Sequence, residues 1–198
     1  MKKTSKALLL MLCAVLLVAA SVLGTMAYLT STDTVTNTFT VGKVAITLDE
    51  ALVDTNGHAT TGNRVKANAY HLLPGHEYDK DPTVHVEADS ENCYLFVKVE
   101  NGISAFEATA NPIASQITAN GWTALTDVTG VYYKEHTKAT TATDYVVFKN
   151  FKIADNAQSV SGWGSASNAK ITVTAYAIQK DGFATAAAAW TASGFSNA

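Results

Sequence analysis

Apolar and polar residues alternate with a period of two along most of the chain after residue 28, and this pattern predicts β-strands. The strands predicted in this way cover residues 64–72, 83–87, 93–99, 131–134, 145–153 and 171–179. Asn56-Gly57 and Pro74-Gly75 predict tight turns. With a further strand before residue 50, the count reaches about seven or eight, so we expect an all-β fold, a jelly-roll-like β-sandwich.

In two of the predicted strands, the alternation shows which residues share a face. The sequence also predicts little helix. One face of strand 93–99 carries Cys93, Leu95, Val97 and Val99. In strand 171–179 we expect Ile171, Val173, Ala175 and Ala177 to point inward and Thr172, Thr174 and Tyr176 outward. A few short helices are expected, at residues 103–108, 112–117 and 184–190.

The segment before these strands has an unusual composition. Every even position from Thr30 to Thr40 is threonine, a β-branched pattern that predicts an extended strand. Its odd positions include the apolar residues Leu29, Val35, Phe39 and Val41. Past Gly42 the apolar residues move to even positions, so Gly42 is predicted to be a hinge or a bulge.

The N-terminus has the three parts of an export signal. Three lysines precede an uncharged apolar run at residues 7–20, and the small-residue stretch 21–27 follows. We therefore predict a signal peptide at residues 1–27, cut between Ala27 and Tyr28, and a secreted product that meets the membrane only through this segment. The alternative is an uncleaved anchor, because the apolar run could extend toward the roughly 20 residues of a spanning helix.

Removal of residues 1–27 changes the charge and the cysteine content. Three of the 14 basic residues and none of the 17 acidic ones lie there, so residues 28–198 carry a formal net charge of −6. An acidic domain is a poor partner for nucleic acid. Cys93 is then the single cysteine, which rules out an intramolecular disulfide and favours a small buried apolar residue over a nucleophile or an intermolecular bridge.

No catalytic, cofactor or metal motif survives inspection. The segment from His76 to Lys80 begins like a zinc-protease helix but lacks the second histidine one turn later. The turn at Asp54 resembles the start of a calcium loop, yet the bidentate glutamate is missing, and a hairpin explains it better. We therefore assign no catalytic residue, no cofactor and no metal ligand from the sequence.

Several blocks of the chain together resemble a known family. The first is Gly24-Thr25-Met26-Ala27-Tyr28-Leu29-Thr30, followed by residues 38–50, and the later ones are residues 73–75, 81–84, 93–100 and 171–177. The first block resembles the N-terminal signature of the TasA/camelysin family of secreted Gram-positive proteins, and the later blocks look like those of its clostridial-type members. The resemblance implies processing by a signal peptidase of the SipW type and an extracellular or cell-surface location.

The family resemblance implies two functions. TasA-like members are jelly-roll domains that polymerise into biofilm matrix fibres, in which the N-terminal strand of one subunit completes the sheet of the next. Camelysin-like members are surface metallo-endopeptidases. A third alternative, a monomeric cell-surface or carbohydrate-binding module, follows from the tryptophans beside glycine or alanine.

Of these, the residues favour a homopolymeric fibre subunit. We expect residues 28–41 to form an N-terminal extension or donor strand and residues 42–198 to form the β-sandwich domain. The extension would dock in a neighbour through Leu29, Val35, Phe39 and Val41, since strand addition needs main-chain groups for the ladder and side chains for pockets. The alternative is that it pairs as an edge strand within its own domain. Other matrix or cell-wall components are further possible partners.

Overall fold

The computed structural model describes the backbone of residues 3–29, of residue 37 and of residues 42–195, and it leaves the side chains of residues 3, 22–29 and 166–168 undescribed. The chain divides into two compact units, residues 1–40 and 41–198.

The described part of the first unit is helix α1, Lys3–Leu29. The side chains from Leu8 to Val18 that are described within it are exposed, and nearly all of them are apolar. Its segment Thr4–Ser21 is long and apolar enough to cross a membrane, and a signal sequence has the same length and composition. The helix is therefore compatible with the predicted signal peptide.

The second unit consists mostly of antiparallel strands, which confirms the expectation of a β-rich fold. The strands are β1 (Ile46–Val53), β2 (Ala59–Val65), β3 (Glu77–Asp79), β4 (Thr83–Val86), β5 (Cys93–Asn101), β6 (Thr123–Ala124), β7 (Val131–His136), β8 (Thr143–Val146), β9 (Asn150–Lys152) and β10 (Ile171–Gln179). They form a first sheet in the order β2-β1-β4-β8, a second sheet in the order β10-β5-β7-β6, and the small pair β3-β9. Helix α2 (Ile113–Ala119), helix α3 (Ala186–Ser193) and two 3-10 helices (Ala157–Ser159 and Trp163–Asn168) lie in the connections.

The main core lies between the two larger sheets. Alternate residues of a strand point to the same face, so Val84 and Val86 of β4 face Leu95 and Val97 of β5, and all four are fully buried. The other members of this core come from both sheets and from the loops that close them, and include Phe148, Phe151, Ile113 and Trp122.

A second core covers the opposite face of the second sheet. Helix α3 packs there with Ala189 and Trp190, against Tyr94 and Phe96 of β5. The helix begins at Thr185, whose hydroxyl accepts a hydrogen bond from Ala188 N at 3.1 Å. Strand β5 is therefore buried on both faces.

The strand boundaries expected from the sequence are correct in some places and wrong in others. The strand at residues 171–179 is confirmed, and α3 and α2 lie within three residues of their expected positions. Residues 103–108 form turns, not a helix. The outward assignment of Tyr176 is wrong, because its ring stacks on Phe195 beneath α3.

Strand β2 ends at Val65, so the predicted strand over residues 64–72 is wrong for residues 66–72. Side chains fix this segment in place of a strand ladder. Oδ1 of Asn68 accepts a hydrogen bond from Val53 N at 3.0 Å, and the Tyr70 hydroxyl donates to Asp79 O at 2.9 Å.

The predicted strand over residues 145–153 is two strands, β8 and β9, in different sheets. Between them Val147 and Phe148 are fully buried, and Val147 N donates to Pro82 O at 2.8 Å. The chain crosses the core at this point, which interrupts the ladder.

Candidate functional site

The N-terminal site residues fall at the limit of the described chain. Ala27 and Tyr28 lie in the last turn of α1, and Leu29 is its final residue. Val35, Phe39 and Val41 lie outside the described residues. The cleavage site and the donor strand therefore stay predictions.

Gly42, the predicted hinge, is the first residue of the continuously described range 42–195. A Cβ atom at this position would lie 2.8 Å from Cγ of Glu91, so the backbone passes close to that side chain. The chain is held to the domain from the next residue on, since Glu91 N donates to Lys43 O at 2.9 Å and Glu87 N donates to Ala45 O at 3.0 Å. A change of direction would therefore have to occur at or before Gly42.

The longest sheet edge is β10. All nine of its residues, Ile171–Gln179, pair with β5, and no other strand of the described chain pairs with its second side. An unpaired edge presents a row of backbone donors and acceptors that another strand can use.

The hydrogen-bond pattern shows which β10 residues face outward. Just beyond the ends of the strand, Lys170 O accepts from Gly102 N at 2.9 Å, and Lys180 N donates to Asn92 O at 2.8 Å. Hydrogen-bonded pairs alternate along an antiparallel ladder, so the even residues of β10 bond to β5. Its odd residues therefore direct their N–H and C=O groups to the open side.

The other edges are shorter or protected. Strand β8 has four residues and β6 has two. Strand β2 carries Gly62 and the charged Arg64. The side of β1 that β2 leaves open is covered in part by Lys66, whose ammonium group donates to Leu48 O. Strand β10, in contrast, has no charged residue and no proline along its length.

The outer face of the first sheet carries a row of charged side chains, one from each strand. Arg64 of β2 pairs with Asp49 of β1. Nε2 of His85, on β4, lies 2.8 Å from Oδ1 of the same Asp49, and its Nδ1 lies 2.6 Å from Oδ1 of Asp144 on β8. Nη1 of Arg64 also donates to Oδ2 of Asp81 at 2.9 Å. We call these five residues the charged row.

The pKa values of the two central groups of the charged row, His85 and Asp49, are both shifted in the direction that favours the ionised form. Burial by itself lowers the pKa of His85, but Asp49 and Asp144 outweigh it and the net pKa is raised. Burial raises the pKa of Asp49, but its bonds to Arg64 and His85 outweigh that and the net pKa is lowered. The row is thus a set of mutually neutralised charges, with its hydrogen-bonding capacity used internally.

A separate ion pair is buried beneath the β1–β2 hairpin. Glu50 and Lys80 are about as buried as core residues, and the Lys80 ammonium contacts the Glu50 carboxylate. Nδ2 of Asn68 donates to Oε1 of the same carboxylate at 2.9 Å. Each charge has a partner, which offsets part of the cost of burying it.

Cys93 and His136 are opposite each other in the register of β5 and β7, and both are buried. Cys93 is fully buried, and burial raises the pKa of its thiol to about 11, which confirms the structural interpretation of this cysteine. The Nδ1 atom of His136 bonds to the Tyr145 hydroxyl at 2.9 Å, and its buried Nε2 has no partner in the described chain. Burial lowers the pKa of His136, which favours the neutral form of the ring.

Within the described residues, no group of three or more His, Cys, Asp or Glu side chains is arranged to hold a metal ion. In the turn at Asp54, the carboxylate accepts from Asn56 N at 2.8 Å and His58 N at 2.9 Å, so it caps the hairpin. A surface pocket of about 390 Å³ lies beside Asn92, Glu135 and Lys180. There the last two side chains pair with each other.

Comparison with models of known protein families, with curated proteins and with solved structures finds no match to this chain.

Two features were missed by reading the sequence. The free edge of β10 depends on strand order, which the sequence pattern does not contain. The charged row joins residues far apart in the chain: His85 and Asp144 are 59 positions apart, and His85 and Asp49 are 36 apart. The alternation of His85 with Val84 and Val86 placed it on an outward face, but only the register reveals its partners.

Proposed function

We propose that this protein is a secreted structural subunit, with a jelly-roll-like domain, that polymerises into extracellular matrix fibres through its N-terminal strand. The observation that carries the proposal is the free edge of β10, which is nine residues long, uncharged and without proline. Long flat edges of this kind invite pairing with another chain, and proteins that stay monomeric usually block them with charge, proline or a bulge.

Two further observations support an extracellular polymer. Helix α1 is compatible with a signal sequence, and its removal by a SipW-type peptidase would leave the threonine-rich segment at a free N-terminus. The domain carries two packed hydrophobic cores. Such a domain suits a folded subunit that is joined to its neighbours by main-chain hydrogen bonds.

The test compares residues 28–198 with residues 42–198 by electron microscopy, after several days under identical conditions. We expect fibres from the longer protein and soluble monomer from the shorter one, because the shorter one lacks the donor segment. Circular dichroism of both proteins controls for folding.

Equal assembly of the two proteins would exclude strand exchange. Fibres from neither would remove the structural function, and zinc analysis with a casein-cleavage assay would then test the metallo-endopeptidase alternative.

A further inference from the structure

We propose that the side chains of Lys80 and Asn68 join through an amide bond after folding, with Glu50 as the acid–base catalyst. The inference assigns a modification site in the second unit and does not depend on whether the protein forms fibres. It follows from the burial of the Lys80–Glu50 pair and from the way the polar atoms of all three side chains meet at one carboxylate.

The amine and the carboxylate of this site lie in the interior of the domain. Lys80 and Glu50 are 9% and 5% exposed, and the ammonium group contacts Oε2 of the carboxylate directly. The aromatic ring of Tyr70 lies near the same ammonium, at 6.0 Å from Nζ to the ring centroid. Because a buried ion pair carries a large desolvation cost, a reaction that converts both charges into neutral groups is favoured.

The side-chain amide of Asn68 is oriented by hydrogen bonds on both of its polar atoms. Nδ2 donates to Oε1 of Glu50 at 2.9 Å and to Ala51 O at 2.8 Å, and Oδ1 accepts from Val53 N at 3.0 Å. A backbone N–H that points at a carbonyl oxygen stabilises the negative charge that develops there during nucleophilic attack. Asn68 is therefore the electrophile of the site, because Val53 polarises its carbonyl group.

The two oxygens of Glu50 serve the two partners separately. Oε2 contacts Nζ of Lys80, and Oε1 accepts from Nδ2 of Asn68. A general base or acid must lie within hydrogen-bond reach of the proton that it moves. The carboxylate can therefore take a proton from the amine at one oxygen and give a proton to the leaving nitrogen at the other. The folded chain holds all three groups together, which replaces a bimolecular encounter.

The reaction balances without an oxidant or a co-reactant. A proton passes from the Lys80 ammonium to Glu50, and the neutral amine attacks Cγ of Asn68, whose C=O electron pair moves to Oδ1. The attacking nitrogen then passes a second proton to Nδ2 through Glu50. The bond between Cγ and Nδ2 breaks, and the carbonyl forms again as ammonia leaves. The products are a secondary amide, the neutral carboxylic acid of Glu50 and ammonia.

The new bond closes residues 68–80 into a covalent loop. Asn68 lies between β2 and β3, in a segment without a strand ladder, and Lys80 lies between β3 and β4. A cross-link of this kind stabilises a fold by limiting the freedom of the unfolded chain. Residues 28–198 contain a single cysteine, so they cannot use an intramolecular disulfide for the same purpose.

The first test is the intact mass of the secreted protein obtained by expressing the full chain. We expect a mass lower by one ammonia molecule than the mass calculated from the sequence for the observed N-terminus. Tandem mass spectrometry of a protease digest should identify a branched peptide that joins Lys80 to Asn68. The full calculated mass, in fresh protein and after several days of incubation, would overturn the proposal. A deficit located only at Asn56-Gly57 would also overturn it, because ring closure of an asparagine releases ammonia too.

Two substitutions test the amine and the carboxylate. Lys80→Arg keeps the charge but removes the nucleophilic amine, and Glu50→Gln keeps the size but cannot carry the protons, so we expect neither variant to lose ammonia. Lys66→Arg is the matched control: the Lys66 ammonium donates to Leu48 O on the neighbouring strand, and this variant should lose ammonia as the wild type does. A branched peptide in the Glu50→Gln protein would overturn the assignment of Glu50 as the catalyst.

A third substitution keeps the test decisive if Lys80→Arg and Glu50→Gln do not fold. Asn68→Asp keeps the carbonyl carbon and changes the leaving group, so we expect the same branched peptide with the loss of one water molecule in place of ammonia. Circular dichroism establishes that each variant is folded. No loss of either molecule, in the folded wild type and in folded Asn68→Asp, would mean that the three side chains have only a structural role and would overturn the proposal.

Discussion

The two large sheets use their outer faces in opposite ways. The first sheet exposes the charged row, in which Arg64, Asp49, His85 and Asp144 neutralise one another across all four strands. The second sheet buries its outer face beneath α3, with Trp190 against Phe96 and Tyr176 at ring-centroid distances of 5.2 and 5.7 Å. Both faces derive from alternating strands, so the alternation alone does not determine whether an outer face meets water.

The difference shows how each sheet is stabilised and where it is open. Packing of aromatic rings contributes through buried area, whereas partly exposed ion pairs contribute little because water screens them. The charges of the first sheet also reach its β2 edge, through Arg64. The second sheet packs against a hydrophobic core on each face, and its β10 edge is uncharged and unpaired within the described chain.

The largest expected effect is on the covered face of the second sheet. Trp190 is 4% exposed, and Trp190→Ala would leave a cavity among Phe96, Tyr176 and Phe195. We expect the free energy of unfolding to fall by about 3–5 kcal/mol, measured by urea denaturation. Thr191→Ala, at an exposed position of the same helix, is the control and should change it by less than about 0.5 kcal/mol. A similarly small loss for Trp190→Ala would mean that α3 is not needed to cover this face.

An intermediate, pH-dependent effect is expected in the charged row. The raised pKa of His85 means that its stabilisation is fully present below about pH 6.5 and is lost as pH rises through the folded-state pKa. The lowered pKa of Asp49 means that its stabilisation is present above about pH 3.9 and is lost as pH falls through the folded-state pKa. Both stabilising contributions are therefore present between about pH 3.9 and about pH 6.5.

We therefore expect His85→Asn to lower the free energy of unfolding most between about pH 4 and pH 6.5, by about 1 kcal/mol after allowing for solvent screening. Urea denaturation of the variant and the wild type at a series of pH values measures the difference. A difference that grows as pH rises above neutrality would contradict the assigned roles. Asp144→Asn, which removes one of the two carboxylates beside His85, should show the same pH trend with a smaller amplitude.

The smallest effect is expected at the exposed end of the same face. Nζ of Lys43 lies 3.1 Å from Oε2 of Glu87, but the two side chains are 59% and 55% exposed. Lys43→Ala should change the free energy of unfolding by less than about 0.5 kcal/mol in urea denaturation. A loss as large as that of His85→Asn would show that burial does not separate the charged row from ordinary surface pairs.

The sequence predicts correctly those elements whose pattern of residues is itself sufficient to identify them. Strand 171–179 is correct to the residue because its apolar and polar positions alternate without interruption. The hairpin at Asn56-Gly57 is also correct: Gly57 has a φ of +82°, and a Cβ atom there would lie 2.4 Å from the ring of Tyr78. For both features the sequence signal lies within the segment itself.

The features that the sequence did not predict depend on distant partners. Residues 66–72 lack a ladder because Asn68 and Tyr70 bond to Val53 and Asp79, and no local pattern encodes those contacts. The outer face of β10 was expected to meet water because nothing in residues 171–179 indicates that α3 packs on Tyr176. The free edge of β10 likewise requires the knowledge that β10 is last in its sheet.

The burial of Cys93 has a consequence for how this protein could be handled. The only thiol of residues 28–198 is enclosed in the core and stays protonated at ordinary pH. Maleimide dyes and spin labels would therefore find no native target on the folded domain, and a cysteine introduced at any surface position would be labelled alone. Site-specific labelling of this domain therefore does not require the native cysteine to be removed first.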